Sequence, residues 1–253
     1  MAEALNLRER ALAVNAIAVP RLVAGLLAFT AGVVDSCTVF ALFGLFVAQV
    51  TGSFVLIGVE VVNADIVNLI RTLAIPVFFL AGFATVFLVE LAGDSHRALR
   101  WTLTAELILL CGFVATGLIG APFAQANAPL ALLASALGVT AMGVQSALVR
   151  LLMHGVASTN VMTTNTTLAS IELAQWLIAS RRLARKPRDK DAIELRRQAR
   201  ARFFGLWPVL VGFLGGACCG AAGFQWIGFR FPLIAIGILG GLLGWAVGKP
   251  ARN

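Results

Sequence analysis

The sequence has few charged residues for its length. Only 13% of its 253 residues are charged, whereas 59% are hydrophobic and the mean hydropathy is +0.90. An ordinary soluble domain has about 25% charged and about 45–50% apolar residues. The chain therefore has too few polar side chains to cover a water-soluble globule, and the expected solvent is a lipid bilayer.

Side chains that bind metals are also scarce. The sequence has two histidines and no HExxH, CxxC or acidic cluster, and it has no P-loop or GxGxxG motif of a nucleotide site. No Ser/His or Asp/Asp pair has a spacing that would place both groups on one helix face. We therefore predict no metal, no cofactor and no enzymatic activity. The cysteines lie in apolar runs, as small packing residues do: Cys37, Cys111, Cys218 and Cys219.

The basic residues are concentrated in one segment. Ten of the 20 lysines and arginines lie between Arg181 and Arg202. A nucleic-acid-binding protein needs basic side chains spread over an exposed face with polar or aromatic readers among them. Because the rest of this chain is apolar, we exclude nucleic acid as a partner and attribute the imbalance to the positive-inside rule.

Six apolar stretches are long enough to cross a membrane, which takes about 20 helical residues. They predict an all-α, polytopic membrane helix bundle of about six transmembrane helices, in a single domain over 20–248 that follows an N-terminal segment, 1–19. Prolines at or near the predicted helix starts support the boundaries. The predicted spans are 21–46, 73–93, 101–120, 129–152, 204–226 and 231–248.

Charge also predicts the orientation. With the N-terminus inside, 17 basic residues lie on the inner side and only Arg71 and Arg230 lie outside, while Arg150 falls within a span. We therefore expect a multi-pass protein of the bacterial inner (cytoplasmic) membrane with both termini in the cytoplasm.

Two further segments, 52–70 and 163–180, resemble helices but carry several polar groups each. They are either re-entrant or interfacial, or else they cross and give eight spans. Six spans are favoured, because eight would bury four polar side chains of one segment in lipid. Those side chains are Glu60, Asn63, Asp65 and Asn68.

An internal repeat relates the two halves of the domain, about 20–120 and 129–248. Asp35 falls opposite Gln145, and Gly44 falls opposite Gly155. The triplet Thr51-Gly52-Ser53 falls opposite Thr163-Thr164-Asn165. Three spans in each half would invert the second copy, as in many secondary transporters; eight spans would make the copies parallel.

The same segments resemble the YoaK family of bacterial membrane proteins, the DUF1275 domain, over about residues 20–248. The resemblance implies a six-span inner-membrane protein, and its activity is largely unassigned. Two departures are Ser53, where the family pattern has Asn, and TTN in place of a form closer to TG. The motifs are Gly32-Val33-Val34-Asp35, Gly44-Leu45-Phe46, Thr51 to Gly58, Met142-Gly143-Val144-Gln145 and Thr163 to Thr167.

Asp35 is predicted near the middle of the first span, where a carboxylate costs about 2.5–3.5 kcal/mol. It is either a cation or proton site or a hydrogen-bonded residue that joins two helices. Gln145 can form a polar cluster with Ser36, Thr38 and Ser146, or it can simply hold helices together.

The two triplets interrupt apolar helix, which is tolerated at membrane depth only against protein or a watery cavity. The helices that follow would point their N-termini at a bound anion or carboxylated metabolite. Polar caps at ordinary loop ends would look the same. The candidate solute or ion site comprises Asp35, Ser36, Thr51, Gly52, Ser53, Gln145, Thr163, Thr164 and Asn165.

Glycines at regular spacing give the last two spans smooth faces, because small residues allow membrane helices to approach closely. These two spans are predicted to cross tightly, within one chain or across a homodimer. The glycines are Gly212, Gly216 and Gly220 on one span, and Gly237, Gly240, Gly241, Gly244 and Gly248 on the other.

The cytoplasmic loop 181–203 can form an amphipathic helix after Pro187 that attracts anionic lipid headgroups by about 1 kcal/mol for each basic residue. Alternatively, it is a topology signal only. Glu90, Glu106 and Arg150 lie near predicted span ends, where snorkelling accounts for them, and His154 is expected at the interface. The basic residues assigned to lipid are Arg181, Arg182, Arg185, Lys186, Arg196 and Arg197.

The sequence therefore favours a small-solute or ion-coupled transporter, in which Asp35 titrates or holds a proton or cation. The alternative is a non-transporting scaffold that binds lipids or partners through its glycine faces and basic loop.

Overall fold

The computed structural model describes residues 20–63, 69–153 and 155–248. Asp65, Asn68 and His154, and the side chains of Glu60 and Asn63, lie outside the described part. Eight α-helices form within it: α1 (Arg21–Ala41), α2 (Val50–Asn63), α3 (Leu69–Ala92), α4 (Ser95–Gly120), α5 (Pro129–Leu152), α6 (Met162–Arg185), α7 (Lys190–Ile227) and α8 (Leu233–Val247).

Five of these helices, α1, α3, α4, α5 and α7, are long and apolar enough to cross a membrane. The sixth predicted span, 231–248, corresponds to α8, which has only 15 residues, fewer than the roughly 20 that a full crossing needs. The segment 52–70 contains the short apolar helix α2, and 163–180 lies within α6. The chain is thus an all-α, multi-pass membrane protein.

Prolines mark the starts of three helices as predicted, with Pro20 before α1 and Pro232 before α8, whereas capping carboxylates mark two others. Asp94 accepts a hydrogen bond from the Arg97 amide at 2.9 Å and begins α4, and Asp189 begins α7 in the same way. Pro129 is in the first turn of α5, as predicted. Pro76 and Pro208, however, lie inside α3 and α7, because those helices begin well before the chain becomes fully apolar.

Helix packing builds a bundle around α1 and α5. The contact of α1 with α7 is the most extensive among the described helices, and α5 packs on both α3 and α4. α6 pairs with α7, α2 contacts α3, and α8 contacts α4 and α1. Leu27 of α1, Phe113 of α4 and Leu148 of α5 are fully buried in the resulting core.

The glycine face of α7 packs against the backbone of α1. A Cβ atom at Gly212 would collide with the carbonyl oxygen of Gly25, and one at Gly216 would collide with that of Phe29. A Cβ atom at Gly220 would also meet the α1 backbone, at 2.8 Å. Close helix approach through small residues is therefore confirmed for α7, as expected in lipid.

The partner predicted for that face was wrong. The glycines of α7 face α1, not α8, because α1 offers its own small residues at the crossing. The glycine face of α8 stays open, since a Cβ atom at four of its positions would meet nothing within 4 Å, and at the fifth it would approach only its own helix. The four are Gly237, Gly240, Gly241 and Gly244, and the fifth is Gly248.

Adjacent glycines on α7 provide a matched test of this packing. Gly216→Ala should lower the free energy of unfolding by about 1–3 kcal/mol, because the new methyl group overpacks the α1 crossing. Gly215→Ala adds only an ordinary contact with the Phe29 ring at 3.9 Å and should be neutral, or stabilising by about 0.5–1 kcal/mol through helix propensity. Denaturation in detergent micelles measures both variants, and equal effects would contradict the α1–α7 packing.

Candidate functional site

The first break in the membrane helices lies between α1 and α2. α1 ends at Ala41, and the next residues turn through two left-handed positions, Phe43 (φ 55°) and Gly44 (φ 79°). The Thr51-Gly52-Ser53 triplet, predicted as the break, instead lies in the first turn of α2. The chain is irregular earlier, over 42–49, because glycine permits the left-handed turn there.

The second break is built in the same way. α5 ends at Leu152, and Gly155 is left-handed with φ 76°. The triplet Thr163-Thr164-Asn165 again lies in the first turn of the following helix, α6. Both triplets therefore begin helices and do not interrupt them.

The third residue of each triplet is the buried one. Ser53 and Asn165 are buried, whereas Thr51, Thr163 and Thr164 are exposed. Asn165 Nδ2 donates a hydrogen bond to the Ser158 carbonyl at 2.6 Å and so fastens the loop to the start of α6. Gly52 packs beneath the Phe46 ring, 3.1 Å from a Cβ atom placed on it.

Asp35 holds the first break in place. Its Oδ1 accepts hydrogen bonds from the backbone amides of Val47 and Ala48, both at 2.8 Å, and its Oδ2 accepts one from Gln49 Nε2 at 3.2 Å. The side chain is only 3% exposed. The carboxylate thus satisfies two amides that a broken helix would otherwise leave unpaired in the membrane.

Gln145 holds the second break in place with a carboxamide group, whereas Asp35 uses a carboxylate at the first. Its Nε2 lies 3.0 Å from the Leu27 carbonyl, 2.9 Å from Thr159 Oγ1 and 3.3 Å from Asn160 Oδ1. Asn160 in turn donates to the Met142 carbonyl at 3.3 Å. The contacts of Thr159 and Asn160 tie the segment that follows α5 to α5 itself, and the contact with Leu27 ties α5 to α1.

The predicted cluster of Gln145 with Ser36 and Thr38 does not form. Gln145 meets α1 at Leu27, eight residues before Asp35 and so about 12 Å along the helix. Thr38 instead donates to the Asp35 carbonyl on its own helix, and Ser36 is half-buried nearby. Ser146 does join the cluster, through Asn160 Nδ2 at 3.5 Å.

Each break also borders a cavity, and the two cavities lie at opposite ends of the bundle. At one end, which we call the basic end, a cavity of about 700 Å³ is lined by Gly155 to Ala157, Arg21, Glu172 and Arg202. At the other, the apolar end, a cavity of about 470 Å³ is lined by residues that include Phe43, Pro122 and Phe229.

Glu172 is the acidic group of the basic-end cavity. It is 8% exposed, and its Oε1 lies 3.5 Å from Nη1 of Arg202, whose side chain is 63% exposed. Its Oε2 is buried without a partner. A charged pair with one free oxygen thus borders the cavity beside the second break.

A separate groove of about 620 Å³ follows the outside of the α6–α7 hairpin. Four arginines line it together with apolar side chains such as Ile193 and Phe204. Arg197 is paired with Glu194, at 2.7 Å and 2.9 Å. The other residues assigned to lipid are exposed on α6 or just after it: Arg181, Arg182, Arg185 and Lys186. The four groove arginines are Arg21, Arg196, Arg197 and Arg200.

Sequence reasoning missed one buried carboxylate. Glu106, expected at a span end where it could snorkel, is fully buried, and neither of its oxygens has a hydrogen-bond partner. The prediction was wrong because the span was started at residue 101. The Asp94 cap, an available signal, starts α4 at Ser95 and makes Glu106 its twelfth residue. Glu90 and Arg150 are exposed, as snorkelling residues would be.

Within the described residues, no three His, Cys, Asp or Glu side chains come together in a way that could hold a metal ion.

The chain belongs to the DUF1275 family, described as "Protein of unknown function (DUF1275)", whose model matches residues 23–245. This confirms the DUF1275 resemblance, whereas the YoaK name rests on the motifs alone. No curated protein and no solved structure matches the chain.

The hydrogen bonds of Asp35 predict the effect of removing it. Asp35→Ala leaves the amides of Val47 and Ala48 without their acceptor, and each unsatisfied amide should lower the free energy of unfolding by about 1–3 kcal/mol. We expect faster hydrogen–deuterium exchange in residues 42–50 and a lower free energy of unfolding. Asp35→Asn retains an acceptor oxygen and should lower the free energy of unfolding much less.

Asp94→Ala is the control, because Asp94 only caps the exposed start of α4. Loss of this cap should lower the free energy of unfolding by about 1 kcal/mol. It should leave exchange over 42–50 unchanged. Unchanged exchange in Asp35→Ala would show that the carboxylate does not hold the break.

Proposed function

We propose that this DUF1275 protein transports a small carboxylated solute across the bacterial inner membrane, and that its two helix breaks form the solute path. The observation that carries the proposal is that each break borders a cavity, at opposite ends of the bundle. The anchors of the breaks, Asp35 and Gln145, lie between those cavities and are buried. In alternating access, one repeat moves against the other so that a central site opens to one side at a time, and a cavity on each side of a closed centre is compatible with that cycle.

Helix contacts support an inverted repeat of four helices, α1–α4 and α5–α8. The α1–α7 contact corresponds to α5–α3, the α4–α5 contact to α8–α1, and the α2–α3 contact to α6–α7. α1 runs from the basic end to the apolar end, whereas α5 runs the opposite way. α2 contacts only α3, and α6 contacts only α7, among the extensive contacts of the described helices. If neither of them crosses and α8 does, each half makes three crossings, which is the odd number that an inverted repeat needs.

The close helix contacts repeat as well. Gly32, three residues before Asp35, lies against the backbone of α7, and a Cβ atom there would meet Ala217 N at 2.7 Å. Gly143, two residues before Gln145, lies against α3, where a Cβ atom would be 3.2 Å from the Phe78 carbonyl. In each half, therefore, a glycine contact precedes the residue that holds the break.

Charge at the basic end supports a carboxylated solute. Arg21 and Arg202 line the cavity with a single acid, Glu172, so positive charge is in excess there. The volume, about 700 Å³, is within the range of about 300–1,000 Å³ typical of small-molecule sites.

Asp35 takes a different part in this transporter from the one its sequence position suggested. Its three hydrogen-bond donors favour positioning of the first break over a role as the titrating or cation-holding group. Gly52 likewise serves the shape of this break, because it packs against the Phe46 ring.

The arginine groove and the open glycine face of α8 support a second activity, binding of anionic lipid. Arg21, Arg196 and Arg200 surround an apolar floor that includes Phe204, which suits a phosphate headgroup with an acyl chain beneath it. Basic residues at this end are expected to face the cytoplasm under the positive-inside rule, and both termini are assigned to that side. A homodimer formed through the open glycine face of α8 would support a role as a non-transporting scaffold.

Cysteine accessibility tests the solute path. In a background with Cys37, Cys111, Cys218 and Cys219 replaced by alanine, we introduce Ala157→Cys at the basic-end cavity and Ala41→Cys at the apolar-end cavity. Both positions line their cavities. A membrane-impermeant maleimide should label residue 157 from the cytoplasmic face and residue 41 from the other face. Ala134→Cys, fully buried in the core, is the unlabelled control.

Transport is measured with the same protein in proteoliposomes. Radiolabelled succinate, lactate and glutamate are the probes, and at least one should be taken up and should slow labelling at residue 157. Ala157→Phe, which fills the cavity, should abolish that uptake. If the maleimide labels neither cavity position, or if no probe is taken up or protects, the transporter proposal is overturned.

A further inference from the structure

Glu106 is a buried acid that takes no part in holding either break. It is the twelfth of the 26 residues of α4 and is fully buried. Neither Oε1 nor Oε2 has a hydrogen-bond partner. The buried stripe of α4 continues to either side of it through Thr102 and Leu110, so the carboxyl group lies in the packed face of the helix.

The packing of α4 on α5 shows what lies at the same level. A Cβ atom at Gly120 would be 3.1 Å from Leu130 Cβ, and Gly138 approaches the Phe113 ring at 3.5 Å. The two helices are therefore antiparallel with a defined register. About two turns before Phe113, α4 carries Glu106, and about two turns after Gly138, α5 carries Gln145. In this antiparallel register, Glu106 and Gln145 therefore lie at the same level.

Gln145 has an unsatisfied acceptor of its own. Its Nε2 is used by the second break, but its Oε1 is buried without a donor. The level of Glu106 thus holds three buried acceptor oxygens with no donor, two on Glu106 and one on Gln145. Proton transfer to the carboxylate would convert one of the three into a donor and leave the others as acceptors.

Among the described residues, the elements packed against α4 provide no cation at this level, and on α4 itself the side chain of Arg100 donates to the His96 carbonyl. α8 contains no ionisable residue, and α5 contains none between Pro129 and Val149. On α3, Glu90 is exposed near the turn to α4, and Arg71 lies at the far end of the helix, where it donates to the Phe43 carbonyl. Arg230, in the turn before α8, is at the apolar end. An ionised, unpaired carboxylate in the membrane interior is costly, so a bound proton is the compensation that this site allows.

We propose that Glu106 carries a proton in this conformation and is the proton-binding group of the transport cycle, with Gln145 as its neighbour across the α4–α5 contact. The inference rests on the proposed function. Because Gln145 also holds the second break, the protonation state of Glu106 biases the loop that lines the basic-end cavity. Loading adds one proton to the carboxylate and release returns it to water, so no other reactant is needed.

Infrared spectroscopy of the purified protein tests the bound proton without transport. At pH 8 the wild type should show the carbonyl stretch of a protonated carboxylic acid, and Glu106→Gln should lack it. Glu90→Gln is the matched control, because Glu90 is an exposed acid on the neighbouring helix, and it should keep the band. Absence of the band in the wild type, or its persistence in Glu106→Gln, overturns the proposal.

Coupling is tested in proteoliposomes with the succinate, lactate or glutamate probe that the wild type takes up. Glu106→Gln should retain exchange of labelled for unlabelled probe, while accumulation driven by a pH gradient falls to the level seen without the gradient. Glu106→Asp should restore part of the accumulation. Gradient-driven accumulation by Glu106→Gln equal to that of the wild type would refute the coupling role.

The two proposals fail in distinguishable ways. If the wild type takes up none of the probes but the infrared band disappears only in Glu106→Gln, the proton-site proposal stands and the transport proposal is overturned. Melting curves in detergent verify that Glu106→Gln is folded, and an unfolded variant is replaced by Glu106→Asp, whose carbonyl band should shift in frequency.

Discussion

Every backbone amide at a helix break inside a membrane needs an acceptor from the protein, and this requirement shapes the centre of the molecule. Two breaks divide the helices, and each is served by a polar side chain from the helix just before it. At the first break a carboxylate accepts from two amides, and at the second a carboxamide donates to the loop and to a neighbouring helix. The presence of Asp35 within an apolar helix is therefore explained by its hydrogen bonds to the loop at the first break.

Much of the fold could be predicted from the sequence because lipid imposes a simple rule on composition. Long apolar runs predicted six spans, and five of them are helices long and apolar enough to cross a membrane. The sequence placed the helix breaks at the two triplets, whereas the chain is irregular just before them. Positions within those segments were less certain, since a triplet of small polar residues can either end a helix or begin one. The left-handed residues near Gly44 and Gly155 decide between these alternatives, and their dihedral angles cannot be read from residue identity.

Other features depend on partners, which a single sequence does not specify. The regular glycines on α7 predicted a close crossing but not that α1 would be the helix opposite. Glu106 was assigned to a helix end because hydropathy marks where lipid begins, whereas the hydrogen-bonded helix begins earlier, at the Asp94 cap. The cavities at the two ends arise from loops and helix ends distant in sequence, so no local pattern could have indicated them.

The length of the 38-residue helix α7 has a consequence at the membrane surface. At about 1.5 Å per residue it is about 57 Å long, nearly twice the thickness of the hydrocarbon layer. Its N-terminal half pairs with α6 through aromatic contacts, among them that of Trp176 with Phe203, and α6 starts directly at the second break. Part of α7 must therefore extend beyond the hydrocarbon layer, and the α6–α7 hairpin connects that part of the protein directly to the second break.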